Sequence, residues 1–169
     1  VVDVGASTGG FTDVCLEKGA AKVYAVDVGH GQLAWKIRND ERVTVLEKTN
    51  ARYLTAAEIP DPVNLIVCDA SFIGLSTVLP ATMSLAADNC ILVALIKPQF
   101  EVGKGKVGKG GVVRDPEQHE QVCEKIKNWI TDEMEGWNVT GLTQSPIKGP
   151  EGNIEFLIGA QYTGKNDDG

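Results

Sequence analysis

The sequence predicts an α/β chain built on a Rossmann-like, seven-stranded sheet: five parallel strands, then a C-terminal antiparallel hairpin. Three observations lead there. Val1-Val2-Asp3-Val4 runs into a small-residue turn, Gly5-Ala6-Ser7-Thr8-Gly9-Gly10, and the turn runs into a helical segment. A second apolar run, Val23-Tyr24-Ala25-Val26, ends on Asp27, about 20 positions further on, where a nucleotide-binding βαβ unit carries its ribose-binding acid. Strand-like and helix-like stretches then keep alternating until two final strands whose connection is too short for a crossover.

Each element has its own signal. Strands near 1–4, 22–27, 43–46, 63–68 and 91–96 are short β-branched runs bounded by turn residues. Helices are expected between them, near 11–19, 31–39, 52–58 and 75–87. Repeated βα units make the strands parallel and put helices on both faces. Lys104 to Gly111 is a loop by composition. Asp115-Pro116-Glu117-Gln118 opens a long helix, with Asp115 as N-cap and Pro116 at its first position. Val122, Ile126, Trp129 and Ile130 recur at helical spacing and mark its core face. Strands near 138–144 and 153–160 close the domain, which is read as 1–162; 163–169 reads as a disordered tail.

With 169 residues the chain can bury one full core. No apolar run approaches the ~20 residues of a membrane span, and no leader pattern opens the chain. A cytoplasmic protein without a membrane partner is expected. The chain opens inside a strand, so an upstream domain is expected to be missing. Cys15, Cys68, Cys90 and Cys123 form no C-x-x-C pair and fall within apolar patterns; they read as free buried thiols rather than zinc ligands. The net charge of −7 argues against a polyanion partner, but Lys97, Lys104, Lys106, Lys109 and Arg114 cluster in one stretch. That stretch is either a solvated loop or a local phosphate-contacting patch.

The first turn separates candidate cofactors. In Gly5-Ala6-Ser7-Thr8-Gly9-Gly10 the second glycine of G-x-G-x-x-G is replaced. A pyrophosphate needs that glycine for close backbone approach. S-adenosylmethionine carries a carboxylate and an ammonium instead, and does not. Asp3 is placed to hold the ammonium, directly or through water. A methyltransferase therefore fits better than a dehydrogenase. Two other motifs lead elsewhere and are set aside. Gly5-Ala6-Ser7-Thr8-Gly9 matches a nucleophile elbow, yet an elbow serine normally follows several strands. Gly103 to Gly110 resembles a P-loop, but Gly110 stands where the Mg²⁺-binding hydroxyl would be. The loop reads instead as a flap near the active site. Of the two histidines, His119 reads as a surface residue of a first helical turn and His30 as solvated.

Three charged residues mark strand ends. Asp69 follows the fourth strand, Lys97 the fifth, and Glu155 lies early in the last, antiparallel strand. All three fall at one edge of the sheet, outside the carboxyl ends of the parallel strands, where open α/β sheets hold ligands.

These segments resemble the FtsJ-like ribose 2′-O-methyltransferases, and within them the TlyA (hemolysin A) group. The resemblance rests on residues 3–13, 24–29, 32–35, 49–52, 97–101 and 152–155, and covers almost the whole chain. It implies a catalytic set of Asp69, Lys97 and Glu155, three members of a Lys-Asp-Lys-Glu tetrad whose first lysine lies upstream of the cofactor turn. It implies a cofactor site from Asp3, Gly5, Ser7, Thr8, Gly9, Gly10, Phe11, Asp27, Val28, Asn50, Ala51 and Asp69. The cofactor would be S-adenosylmethionine, with no metal. The substrate would be a cytidine ribose in ribosomal RNA or ribosomal subunits. An upstream S4-type domain would carry much of the RNA affinity. A membrane-lysing protein and a non-catalytic RNA-binding module are the alternative classes. No spanning segment or strongly basic amphipathic helix supports the first, and the intact charged trio argues against the second.

Overall fold

A computed structural model describes residues 1–103, 106–108 and 110–164. Its single sheet has seven strands in the order β3-β2-β1-β4-β5-β7-β6. In chain order these are β1 (Val2–Val4), β2 (Val23–Val26), β3 (Val43–Leu46), β4 (Val63–Cys68), β5 (Ala86–Ile96), β6 (Trp137–Gln144) and β7 (Phe156–Tyr162). The first five are parallel; β7 runs antiparallel to both β5 and β6. The expected architecture is the observed one.

Successive side chains of a strand face opposite layers. In β2, Tyr24 and Val26 join the larger core while Ala25 faces the smaller one with Ala6, Leu33 and Ile37. The larger core includes Ile66, Leu92, Ile96 and Ile158 of the sheet and Ile126 and Ile130 of the long helix α6 (Pro116–Glu133), all fully buried. The start of α6 follows its sequence signal: the Asp115 side chain accepts from Glu117 N at 2.9 Å. Trp129 packs on the core only partly.

The short helices depart from expectation. Helix α1 is Gly10–Glu17. The helix expected near 31–39 shrinks to α2, Trp35–Arg38. Its missing start is held open by Gly31, at φ 72°, whose N–H is bound by the Glu47 carboxylate. The helix expected near 52–58 is one 3₁₀ turn, Ala51–Tyr53, capped by Asn50. The helix expected near 75–87 breaks into α3 (Leu75–Val78) and α4 (Pro80–Met83), because Pro80 restarts it. Residues from Ala86 on join β5, paired with Val63 of β4.

The last strand begins three residues later than expected. Asn153 is spent on loop contacts: its Oδ1 accepts from Val113 N, and its Nδ2 donates to Gly111 O and Pro150 O. Glu155 therefore sits just ahead of β7 rather than in it. His119 is a further correction. It is buried, its Nε2 lies 2.7 Å from Val113 O, and its ring meets Phe156 edge-on. Cys68, Cys90 and Cys123 are free and buried as expected, whereas Cys15 is only half-buried. At the expected tail, Thr163 N donates to Gly136 O at 2.8 Å, so ordered contacts continue past 162. Residues 165–169 lie outside the described residues, as do Lys104, Gly105 and Lys109 of the lysine-rich loop.

Candidate active site

The carboxyl ends of β1, β2 and β4 open onto a cavity of about 360 Å³, within the range of small-ligand sites. Chain reversal at the β1 end sets its floor. Gly5 adopts φ 78°, and a Cβ there would stand 2.7 Å from the Asp69 carbonyl oxygen. Only glycine lets the first turn lie this close to the end of β4. Gly9, at φ 100°, would drive a Cβ to 2.6 Å from the Ile37 side chain, so it lets the turn pack on α2.

Asp27 shapes the cavity at the end of β2. Its Oδ2 accepts from Ser7 N at 2.5 Å and its Oδ1 from Gly29 N at 2.9 Å. Each carboxylate oxygen keeps a lone pair for a ligand hydroxyl. Of the expected cofactor residues, Gly5, Ser7, Asp27, Val28, Asn50, Ala51 and Asp69 line the cavity. Thr8, Gly9, Gly10 and Phe11 do not line it. They shape the turn behind it: Gly9 N donates to Ala6 O, and Thr8 O accepts from Ala34 N.

Asp3 is also absent from the cavity wall. It is fully buried on the α1 side of the sheet, where Thr12 Oγ1 donates to its Oδ2 at 2.7 Å. Its Oδ1 has no partner among the described residues. Burial pushes its carboxyl up to about 6 from 3.8, against the lowering effect of the Thr12 bond, and the charges of Asp69 and Asp27 add to the rise. A raised folded value favours the protonated form, so this stabilisation is complete below pH 3.8 and is lost as pH rises to about 6. The shift corresponds to about 3 kcal/mol. Asp3→Asn is therefore expected to stabilise the ligand-free domain at pH 8 by up to that amount and by little at pH 3.5. Urea unfolding at the two pH values checks this; equal effects at both would dismiss it.

The remaining charged residues lie one strand further along. Lys97 follows β5 and is 8% exposed, too buried to belong to a surface phosphate patch. Its Nζ pairs with Asp69 Oδ1 at 2.5 Å and donates to Ser71 Oγ at 3.1 Å. Pro98 starts the short helix α5 (Pro98–Glu101) directly after it. Glu155 is also buried, and its Oε2 accepts from Gln99 Nε2 at 3.0 Å. The structure thus joins Asp69 and Lys97 directly, while Glu155 bonds to Gln99.

Several wall residues escaped sequence reasoning: Gln32, Thr49, Ser71, Phe72 and Ile73 among them. Phe72 stands out. It is 88% exposed, holds a left-handed backbone at φ 66°, and leans on Phe100 with ring centroids 4.9 Å apart. The position of Ser71, Phe72 and Ile73 in the loop after β4, next to Asp69, was the available signal.

The strand order, with a carboxylate-edged cavity at its switch point, defines an α/β methyltransferase fold. The chain belongs to the FtsJ-like methyltransferase family, whose model matches residues 1–162. It is 53% identical over 157 residues to the 16S/23S rRNA (cytidine-2′-O)-methyltransferase TlyA of Mycobacterium tuberculosis; the match covers 93% of this chain and 58% of that protein. The chain thus spans under two thirds of that relative's length. The crystal structure of a protein described as a hemolysin from Lactococcus lactis superposes with a TM-score of 0.91 at 48% identity, covering 97% of this chain and 78% of the other. The N-methyltransferase NodS of Bradyrhizobium japonicum, in complex with S-adenosyl-L-homocysteine, shares the fold alone: TM-score 0.64, 15% identity, coverage 96% and 77%.

Proposed function

We propose that this chain is the catalytic domain of an S-adenosylmethionine-dependent methyltransferase acting on a cytidine 2′-hydroxyl of ribosomal RNA. The observation that carries the reading is the Lys97–Asp69 pair, 2.5 Å apart, at the lip of the cavity. The residues fit the cofactor's chemistry. Asp27 presents a carboxylate to a vicinal diol. Asp3 is sealed behind the turn and off the cavity wall, so it takes no direct part in this fit. Val28, 71% exposed on the cavity wall, offers apolar surface to a purine. When bound, S-adenosylmethionine supplies an electrophilic methyl group.

The protein's part is to place and charge the acceptor oxygen. A ribose hydroxyl is a poor nucleophile, so in-line placement and help with its proton supply most of the gain. Lys97, held between Asp69 and Ser71, faces the acceptor oxygen with a fixed positive group. Its ion pair supports a role in stabilising the developing alkoxide, with Asp69 orienting it. Phe72 gives the acceptor nucleotide an exposed aromatic face to stack on. The membrane-lysing alternative draws no support from the helices: among the described residues, none is long and apolar enough to cross a membrane.

The test is transfer of labelled methyl to ribosomal subunits by the full chain, followed by alkaline hydrolysis of the RNA. A 2′-O-methyl group removes the hydroxyl that cleaves the backbone, so the labelled position should resist hydrolysis. A labelled position that still cleaves would place the methyl on a base and overturn the ribose assignment.

A further inference from the structure

Glu155 reaches the acceptor edge with an unusual partner. Gln99, which holds its Oε2, is only 8% exposed, and Glu155 only 6%. Glutamine is mostly a surface residue. The other end of the amide, Gln99 Oε1, is buried and has no hydrogen-bond partner among the described residues. An apolar side chain of similar size would fill the same space without stranding a carbonyl. Packing alone therefore does not account for an amide here.

The surroundings leave the carboxylate little room. Gly149 backs onto it, and a Cβ at that position would collide with both the Glu155 carboxyl carbon and Oε2. Gln99 itself lies in α5, two residues beyond Lys97, on a turn started by Pro98. One short helix thus adjoins the lysine that binds Asp69 and carries the amide that binds Glu155.

We propose that Gln99 is a positioning residue for methyl transfer, whose amide fixes the Glu155 carboxylate in register with Lys97. Its action runs through Glu155 and not through contact with substrate. The inference rests on the reading of Glu155 as part of the acceptor site.

The test uses Gln99→Leu, Glu155→Gln and the double variant in the full chain, with ribosomal subunits as acceptor. Gln99→Leu should lower kcat about 10- to 100-fold, the loss of one hydrogen bond to a charged group. The KM for S-adenosylmethionine should stay within about threefold, because the amide lies outside the cofactor cavity. In the Glu155→Gln background the leucine substitution should add nothing. If Gln99→Leu fails to fold, Gln99→Met, flexible and of similar length, takes its place. Wild-type kcat in the Gln99 variant beside an impaired Glu155→Gln would overturn the proposal, as would fully additive losses. A wild-type rate in Glu155→Gln itself would overturn the reading on which it rests.

Discussion

Replacing Lys97 by alanine is expected to abolish methyl transfer while leaving cofactor affinity within about a factor of three. The side chain is absent from the cavity wall and contacts Asp69 and Ser71 on the acceptor side. Its removal strips the acceptor oxygen of its neighbouring cation, and a positioned acid–base group is worth typically ~10²–10⁴ in rate. It also leaves Asp69 without its ion partner. Lys97→Arg separates the possible roles, since a guanidinium keeps the charge but does not readily give up a proton. Activity well above the alanine variant marks electrostatic stabilisation; activity no better than alanine fits a proton acceptor. Single-turnover methylation with calorimetric cofactor binding on the same preparations measures both quantities. Wild-type turnover in Lys97→Ala would reduce the family likeness to one of fold.

The second large effect is expected at Asp27. Alanine there removes the acceptor for a ribose diol and releases two backbone donors, Ser7 N and Gly29 N, that now shape the turn. Hydrogen bonds to a charged group are worth about 1.5–3 kcal/mol, so the Kd for S-adenosylmethionine should rise roughly 10- to 150-fold. The effect should appear in binding without RNA, unlike that of Lys97. Unchanged affinity by calorimetry would remove Asp27 from the site. Tight NAD binding with no S-adenosylmethionine binding would overturn the cofactor assignment.

How far the sequence reveals this molecule depends on the range of each interaction. Strand positions and directions were legible because β-branched runs, the glycine turn and the short Ser145–Gly152 connection are local signals. So was the Asp115 cap. The helices near 31–39 and 52–58 were overestimated because side chains from elsewhere claim the backbone, as the Glu47 carboxylate does at Gly31 N. His119 looked like a surface residue because the ring that buries it, Phe156, comes from the last described strand, far along the chain. The candidate site shows the same division. Asp27, Asp69 and Lys97 stand at strand ends and can be read directly. The pairing of Gln99 with Glu155 spans 56 positions, and no local pattern encodes it.

The position of β7 has a consequence for the order of assembly. It is the last strand among the described residues, yet it lies between β5 and β6 in the sheet. Until Phe156–Tyr162 leaves the ribosome, β6 has no strand to pair with, and the outer edge of β5 lies bare. Such edges are templates for pairing with other chains. The cofactor cavity and the Lys97–Asp69 pair are complete by residue 97, but Glu155 arrives only with the closing strand. At ~5–20 residues per second, the chain spends several seconds between those points. During that interval the edge next to Lys97 is unfinished, and the strand that shields it from aggregation also brings in Glu155.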